Sequence, residues 1–489
     1  MLFNSHIFML LFLPLLLAGW YFLNWKKKFQ LAQGYLIGMS LWFYAYANLQ
    51  YLWLLLFSCL IGWLLSCLPE KISSEKGKKV LTGVGCVFHL GLLGYFKYSN
   101  FFLENLNTVF HTDFPMLQIL LPVGISFYTF QQLAYLIDRC RGDAPRDSFF
   151  DYLTFMVYFP QLLQGPILLR SEFMGQLKEP ERRRFHAERF SEGIQFFVFG
   201  LAKKVLLADT LAKAVNYGYS NVSMLDSISA LLLAVGYLTE LYFDFSGYCD
   251  MAVGLGKMIG LEVTENFDAP FHSASVKEFW RRWHMTLGRF FTRYVYIPLG
   301  GNRRGKMRTL CNVMIVMLLS GLWHGAAWTF VLWGFLHGVG MIWDNLEHPH
   351  LPKKWMRQAA TFAYVCMTFV FFRAESIAQG VDVLRSIVSL KWNGFVFQMA
   401  SALDMTEFYM ITKALSMKLP GLLSWFWLGI FVVLIAICFR VLSGEKVSGV
   451  VALQRQKGYG RLYPVLLAVL FTWSMISMTG VSEYLYFSF

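Results

Sequence analysis

Residues 309–343 read TLCNVMIVMLLSGLWHGAAWTFVLWGFLHGVGMIW and contain no Asp, Glu, Lys or Arg. A transmembrane helix needs about 20 mostly apolar residues, so this run is long enough for two helices. His324 lies near its middle, between Gly321 and Gly325, where a polar side chain costs free energy and needs a reason. The stretch predicts a membrane-embedded helix pair that carries a functional histidine. A histidine bonded to a neighbouring helix is the alternative.

The whole chain shares this apolar character. Of its 489 residues, 56% are hydrophobic and 15% are charged, whereas soluble domains carry about 25% charged residues. This composition excludes an ordinary soluble enzyme and predicts contact with a lipid bilayer. The net charge of +13 would suggest nucleic acid in a soluble chain, but in a membrane protein it indicates basic cytoplasmic loops.

Further uncharged runs predict about 11 transmembrane helices in an all-α polytopic membrane protein. The clear runs are residues 1–25, 29–69, 80–96, 114–137, 358–372, 419–439 and 462–482, and the weaker ones are 193–207, 227–243 and 246–261.

The basic residues predict which side of the membrane each loop faces. Lys26, Lys27 and Lys28 follow the first apolar run, which has no basic leader, so we expect an uncleaved anchor with its N-terminus outside. Basic segments at residues 71–79, 139–146, 182–184 and 303–308 then face the cytoplasm.

Residues 152–169 fit no simple span. They are uncharged but contain Pro160, Gln161, Gln164 and Pro166 between two basic segments. A re-entrant or surface-lying segment is more economical, and irregular backbone at membrane depth must be buried in protein or line a cavity. The segment therefore predicts a central tunnel.

A second histidine, His284, follows the aromatic and basic sequence FWRRW at residues 279–283. On a helix, Trp280 and Arg281 would be its surface neighbours. A helix lying in the membrane interface explains the Trp and Arg residues but leaves His284 unexplained. A catalytic or substrate-binding role for His284 is therefore predicted beside a lipid-anchoring role for the helix.

Two acidic residues, Asp244 and Asp250, lie in an unusually polar part of an apolar run. Buried acids usually pair with basic groups. The available partners are Arg281, Arg282 and Arg293.

No metal site is predicted. His337 follows His324 by 13 residues, which places it on a well-separated face of one continuous helix. His348 and His350 flank a proline in a polar loop, and the eight cysteines show no spacing typical of zinc or redox chemistry.

Six segments between residues 120 and 376 together resemble the membrane-bound O-acyltransferase family (MBOAT), in its bacterial polysaccharide-acetylating branch. The segments are LPVGISFY (121–128), GLAKKVLLAD (200–209), YFDFSGY (242–248), FWRRWH (279–284), YIPLGGNR (296–303) and GLWHG (321–325). The resemblance implies an MBOAT-like core at residues 120–376, flanked by transmembrane helices at 1–119 and 377–489. Thr292 and Arg293 depart from the Arg-Asp pair that the family often has, so local ion pairing is expected to differ.

The resemblance implies that His324 is the catalytic histidine within the membrane and His284 a second functional position. We expect His324 to act as general base, His284 to position or polarise the acyl donor, and Trp323 or backbone donors to stabilise the oxyanion. The candidate substrate-binding residues are Trp323, Arg281, Arg282, Asp244 and Tyr248.

The resemblance also implies the substrates and the setting. An acyl thioester such as acetyl-CoA would enter from the cytoplasm, with no tightly bound cofactor, and the acetyl group would reach an extracytoplasmic polysaccharide through a separate SGNH-type partner. The bacterial cytoplasmic membrane is the expected location. A D-alanyl transferase of teichoic-acid modification, a non-catalytic acyl transporter and a purely structural membrane scaffold are the alternatives.

Overall fold

A computed structural model describes residues 1–346, 352–438, 446–456, 458, 460, 462–478, 484 and 485. Within these ranges the secondary structure is helical, with no strand. The all-α prediction is therefore confirmed. His348, His350 and the ends of the runs predicted at 419–439 and 462–482 lie outside the described residues.

The helices differ widely in length. Those up to residue 259 are α1 (Leu13–Trp25), α2 (Phe29–Cys67), α3 (Glu75–Leu93), α4 (Ser99–Phe110), α5 (Ile125–Arg141), α6 (Phe149–Val157), α7 (Phe159–Leu162), α8 (Arg170–Leu177), α9 (Ala187–Ala202), α10 (Asp209–Ser220) and α11 (Ser227–Ile259). Those that follow are α12 (Val276–Arg282), α13 (Met285–Phe291), α14 (Lys306–His324), α15 (Trp328–Asn345), α16 (Lys354–Arg373), α17 (Ile377–Val388), α18 (Phe395–Ser401), α19 (Tyr409–Lys418), α20 (Pro420–Ile437), α21 (Val447–Gln456) and α22 (Leu462–Ser477). Short π-helical segments occur at Phe8–Phe12, Gly94–Tyr98, Lys203–Ala208 and Thr292–Tyr296.

Six helical stretches of the described chain are long and apolar enough to cross a membrane. They are Phe8–Trp25, Leu49–Lys71, Glu75–Phe110, Ser227–Ile259, Lys306–His324 and Pro420–Ile437. The chain is thus a multi-pass membrane protein, and the count of about 11 spans stays a prediction.

One of two compact units comprises Met1–Val198, Tyr248–Glu265 and Thr286–Pro298. Aromatic side chains fill part of its core: Phe3 packs on Phe8 with ring centroids 5.0 Å apart, and Phe43 packs on Phe159 at 5.3 Å. All four of these side chains are buried. Close aromatic packing of this kind contributes stability beyond the area that it buries.

Residues 152–169 belong to this unit and do not form a span. The chain breaks between α6 and α7 at Tyr158 and is irregular from residue 163 to residue 169. Gln161 and Gln164 are buried. Gly124, at φ +79°, fits against this segment because a side chain there would come within 2.5 Å of the Leu162 carbonyl oxygen. The irregular buried segment is as expected, while the tunnel stays a prediction.

Arg293 is paired within this unit. Its guanidinium lies 3.0 Å from Asp138 and 2.9 Å from Asp143, and the Tyr294 hydroxyl donates to the other Asp138 oxygen at 2.9 Å. Arg293 was expected to be available for Asp244 or Asp250. The structure gives it these two carboxylates instead.

The second compact unit comprises Phe199–Gly247, Asn266–Met285 and Leu299–Phe489. Its centre is the hairpin of α14 and α15, which together cover most of the run at residues 309–343. A side-chain carbon at Gly334 would lie 2.5 Å from the Met317 carbonyl oxygen and 3.3 Å from the Gly321 Cα. The two helices therefore pack backbone against backbone, as small residues allow in membrane helix pairs. The predicted pair of helices is confirmed, and α14 is long and apolar enough to cross a membrane, while the embedding of α15 stays a prediction.

The base of the hairpin begins with a glycine turn. Gly300 and Gly301 have φ values of +105° and +56°, and the buried Asn312 amide donates to the Gly301 carbonyl at 3.0 Å. This bond ties the turn to the second turn of α14. The basic residues Arg303 and Arg304 that follow are exposed.

We predict that Gly334→Ala destabilises the protein by about 1–3 kcal/mol, because the added methyl group overpacks the hairpin. Gly429→Ala in α20 is the matched control, since nothing lies within 4 Å of the added carbon and alanine is the better helix former. Thermal unfolding of the detergent-solubilised protein measures both. Equal stability of the two variants would refute the close packing.

Candidate active site

His324 is the last residue of α14 and lies at the tip of the hairpin, not in the middle of a helix. The helix ends there because Gly325 adopts an extended conformation, and α15 begins three residues later at Trp328. The His324 side chain is buried, with 4% of its surface exposed. Rings surround it edge-on, with centroids at 5.1 Å for Trp333 and 5.1 Å for Phe372.

His284 lies between α12 and α13 with an unusual backbone. Its φ of +47° is in the left-handed region, which few non-glycine residues adopt and which concentrates at functional sites. The next amide, of Met285, donates to the Asn266 carbonyl at 2.9 Å, and His284 Nδ1 lies 3.3 Å from Asn266 Oδ1. Two bonds to one residue therefore hold this conformation in place.

The His284 ring is buried against Phe245, with centroids 4.7 Å apart. Burial lowers the pKa of His284 to about 3. The imidazole is therefore neutral near pH 7, so it can act through a hydrogen bond but not as a cation.

The two histidines lie close together. Their ring centroids are 6.4 Å apart, and the Trp323 ring is 6.0 Å from His284 and 4.9 Å from His324. The structure thus brings together His324, His284 and Trp323 from the predicted set, although 39 intervening residues separate the histidines in sequence.

The expectation that one helix presents Trp280, Arg281 and His284 together is wrong, because α12 ends at Arg282. Trp280 instead points into the protein, where its indole N–H donates to His337 Nδ1 at 3.2 Å. Arg281 is exposed.

His337 is a supporting residue that the sequence did not assign. Its Nε2 lies 2.9 Å from the Thr368 hydroxyl, which itself donates to the Val365 carbonyl. Both ring nitrogens are therefore bonded, in the neutral form with the proton on Nε2. The Trp333 ring lies 4.9 Å from His337 and 5.1 Å from His324. His337, held by Trp280 and Thr368, thereby supports the Trp333 ring that packs against His324.

The partner of Asp244 also differs from the expectation. Lys204 Nζ lies 2.6 Å from Asp244 Oδ1 and 2.8 Å from Asp209, and the Leu485 amide donates to Asp244 Oδ2 at 3.1 Å. Lys204 and Asp209 belong to the segment GLAKKVLLAD, whose similarity to the family was the available signal. Asp244 is thus held by a lysine and not by Arg281, Arg282 or Arg293.

The remaining candidate substrate residues, Arg282 and Tyr248, contact other side chains. Arg282 is 2.9 Å from Glu278 in an ion pair on its own helix. Tyr248 belongs to the first unit, where its ring stacks on Phe3 at 4.7 Å. No group of three or more His, Cys, Asp or Glu side chains in the described ranges is arranged to hold a metal ion.

Comparison with known proteins places these features in a family. The family model described as MBOAT, membrane-bound O-acyltransferase family, matches residues 144–379. The chain is 35% identical to a peptidoglycan O-acetyltransferase of Helicobacter pylori, over 80% of each chain. It is 39% identical to a probable alginate O-acetylase of Azotobacter vinelandii, over 77% of this chain and 76% of the relative. A teichoic acid D-alanyltransferase of Streptococcus thermophilus is 28% identical, over 49% of this chain and 58% of the relative. The chain therefore belongs to the membrane-bound O-acyltransferase family and is an acyltransferase.

Proposed function

We propose that the protein transfers an acetyl group from an acyl thioester, such as acetyl-CoA, to an alcohol during O-acetylation of an extracytoplasmic polysaccharide. The observation that carries this proposal is the pair of buried imidazoles, 6.4 Å apart, of which His324 ends a helix that is long and apolar enough to cross a membrane. The names of the relatives, a peptidoglycan O-acetyltransferase and a probable alginate O-acetylase, support acetyl as the group and a polysaccharide as its destination.

His324 is the proposed general base, because an imidazole ordinarily titrates near pH 6.5 and suits proton transfer at neutral pH. The acceptor oxygen attacks the thioester carbonyl carbon while His324 takes the hydroxyl proton. The C–S bond then breaks, the acetyl ester remains on the acceptor, and the leaving thiolate takes the proton back from His324.

The developing oxyanion needs hydrogen-bond donors. The indole N–H of Trp323 and the backbone amides of residues 326 and 327 are the proposed donors near His324 in sequence, and one such donor contributes roughly 10²–10³ in rate. His284 is proposed to position or polarise the donor carbonyl. Since the His284 ring is neutral, it would polarise the donor carbonyl by donating one hydrogen bond and not by its charge.

The proposed orientation has the N-terminus outside, about 11 spans around a tunnel, and the basic turns in the cytoplasm. The acyl donor therefore enters the tunnel from the cytoplasm. Exposed Arg281, Arg303 and Arg304 supply positive charge for a donor that carries phosphates. Arg282, Asp244 and Tyr248 remain proposed substrate residues. A separate SGNH-type protein is the proposed partner that completes delivery to the polymer.

D-alanyl transfer is the second candidate function. It is favoured by the resemblance to the Streptococcus thermophilus relative, which covers about half of the chain. The higher identity to the acetylating relatives over 77–80% of the chain favours acetyl transfer. A transporter without chemistry would consume no thioester, so thioester consumption by the purified protein separates it from both enzymes.

His324→Ala should lower acetyl transfer by about 10²–10⁴-fold, the usual contribution of a general base, while the protein still inserts and folds. The measurement is thioester consumption and ester formation by the purified full-length protein. His186→Ala, at an exposed histidine, is the control and should retain wild-type activity. Full activity of the His324 variant would remove the proposed mechanism.

The pH dependence of transfer distinguishes the two histidines. Because burial lowers the pKa of His284 to about 3, that residue stays neutral from pH 5 to pH 8. His284→Asn should therefore lower kcat/KM about tenfold or more through loss of a hydrogen bond but leave the midpoint of the acidic limb unchanged. A shift of that midpoint by a full pH unit would show that His284 itself titrates in the reaction.

A further inference from the structure

An open groove of about 950 Å³ lies on the second unit, where α17 and the loop after it meet the short turn Val222–Met224 that precedes α11. Its volume is at the upper end of the range for ligand pockets, about 300–1,000 Å³. The described residues that line it come from the segments 222–225, 376–389 and 391–393, and none belongs to the candidate active site. The groove is therefore a second surface that could bind a ligand.

The direction of α16 shows at which end of the unit the groove lies. Tyr364 packs against Gly340 of α15, and nine residues before the end of that contact series Phe372 packs against Trp333 with ring centroids 5.0 Å apart. The two helices are therefore antiparallel. α16 begins at the base of the hairpin and ends at its tip, and the lining of the groove begins at Ser376, just after α16 ends.

Basic residues concentrate at the opposite end of this unit. The base of the hairpin and the start of α16 carry Arg303, Arg304, Lys306, Arg308, Lys353 and Lys354. Basic loops of membrane proteins face the cytoplasm. With the proposed orientation, the groove faces the extracytoplasmic side, where a cell-surface polysaccharide lies.

The lining of the groove is rich in groups that both donate and accept hydrogen bonds. Four serine hydroxyls and two side-chain amides belong to it, from Ser223, Ser376, Ser386, Ser389, Gln379 and Asn393. Its charges nearly balance, because Asp382 stands against Arg385 and Lys391, and Arg385 lies 3.4 Å from Asp382. Hydroxyl and amide groups can pair with the hydroxyls of a sugar, which are themselves donors and acceptors.

Trp392 adds an aromatic face to this polar lining. Its side chain is 56% exposed, and Phe397 supports the ring edge-on, with centroids 6.0 Å apart. The face of an aromatic ring carries partial negative charge, so it attracts the weakly positive C–H groups of a sugar ring. The groove thus offers a partner for each part of a pyranose, its C–H face and its hydroxyl rim.

The loop that carries Trp392 is fixed by hydrogen bonds. The buried Asp226 accepts from the backbone amides of Asn393 at 3.2 Å and Gly394 at 3.1 Å. The Lys391 carbonyl accepts from the amide of the first residue of α11 at 3.1 Å. A loop that is already ordered loses little conformational entropy when a ligand binds.

We propose that this groove is a docking site for a glycan strand of the polysaccharide that is acetylated. Trp392 stacks on the C–H face of one sugar ring, while the serine and amide side chains exchange hydrogen bonds with sugar hydroxyls. The groove holds the polymer at the protein and takes no part in the chemical step. This proposal rests on the proposed acetylation of a polysaccharide and adds where the polymer binds.

A folded protein is the less favoured occupant of the groove. Protein interfaces are depleted in Ser, Ala, Asp and Lys and enriched in aromatic residues. The groove has four serines together with Ala378, Asp382 and Lys391, and Trp392 is the only aromatic residue among its described lining residues. This composition favours a polyhydroxylated ligand.

The test measures glycan binding by the purified full-length protein in lipid nanodiscs, without acetyl-CoA. The probes are a tetrasaccharide of N-acetylglucosamine and a tetrasaccharide of mannuronate, titrated in a calorimeter. The variants are Trp392→Ala and Trp392→Phe. The matched control is Trp355→Ala, because Trp355 is 62% exposed on α16 and does not line the groove.

We expect at least one tetrasaccharide to bind the wild-type protein. Trp392→Ala should weaken that binding about 3- to 10-fold, since it removes the aromatic face, and Trp392→Phe should stay within about twofold of wild type because it keeps one. Trp355→Ala should bind as the wild type does.

Binding of neither tetrasaccharide would overturn the docking proposal. An affinity unchanged in Trp392→Ala would also overturn it, and Trp392 would then be an anchor at the membrane interface, where exposed tryptophans concentrate. A loss in Trp355→Ala as large as that in Trp392→Ala would place the sugar outside the groove.

The side that the groove faces is tested in spheroplasts with a membrane-impermeant maleimide. Ser223 is an exposed lining residue, so Ser223→Cys should be labelled above the background of the wild-type protein in intact spheroplasts. Labelling of Ser223→Cys only after lysis would place the groove in the cytoplasm and overturn the proposal.

Failure of the docking proposal is distinguishable from failure of the proposed function. Thioester consumption without tetrasaccharide binding would contradict the docking proposal alone. Tetrasaccharide binding that depends on Trp392, without any thioester consumption, would support the docking site and contradict the proposed acetyl transfer.

Discussion

The backbone contact between Gly321 and Gly334 is the constraint on which the candidate site depends. It lets α14 and α15 approach so closely that the turn at residues 325–327 closes tightly and leaves His324 at the hairpin tip. Without a hydrophobic driving force between helices in lipid, such close packing is what holds a membrane helix pair together. The register that it fixes also places Trp333 of α15 against the His324 ring.

Polar groups around this hairpin follow a consistent rule. Because an unsatisfied polar group within a membrane is expensive, His337 is bonded at both nitrogens, and Lys204 joins two carboxylates. His284 keeps a strained backbone beside Asn266. Glu240 Oε2 and the indole nitrogen of Trp333 depart from the rule, since each is buried without a hydrogen bond among the described residues.

Much of this arrangement was predictable from sequence. The contacts and helix ends that were not predicted have identifiable physical reasons. The charge-free run predicted the helix pair, and the GLWHG and FWRRWH segments identified His324 and His284 as candidates. Both predictions succeeded because hydropathy and short motifs depend only on residues that are adjacent in sequence. The Trp280–His337 and Lys204–Asp244 bonds join residues 57 and 40 positions apart, and no local pattern encodes them. The end of α12 at Arg282 was missed because aromatic and basic residues fit an interfacial helix equally well. The number of spans stays a prediction because several helices are short or too polar to be recognised as spans by length and hydropathy alone.

The most direct measurement is an experimental structure of the protein with a ketone analogue of acetyl-CoA, in which a methylene group replaces the reactive sulfur. The account predicts that the analogue carbonyl lies between the two imidazoles, within hydrogen-bond reach of His284 or the Trp323 indole and with His324 facing its open side. An analogue bound elsewhere, with His324 still enclosed by Trp333 and Phe372 and reached by no opening, would contradict it.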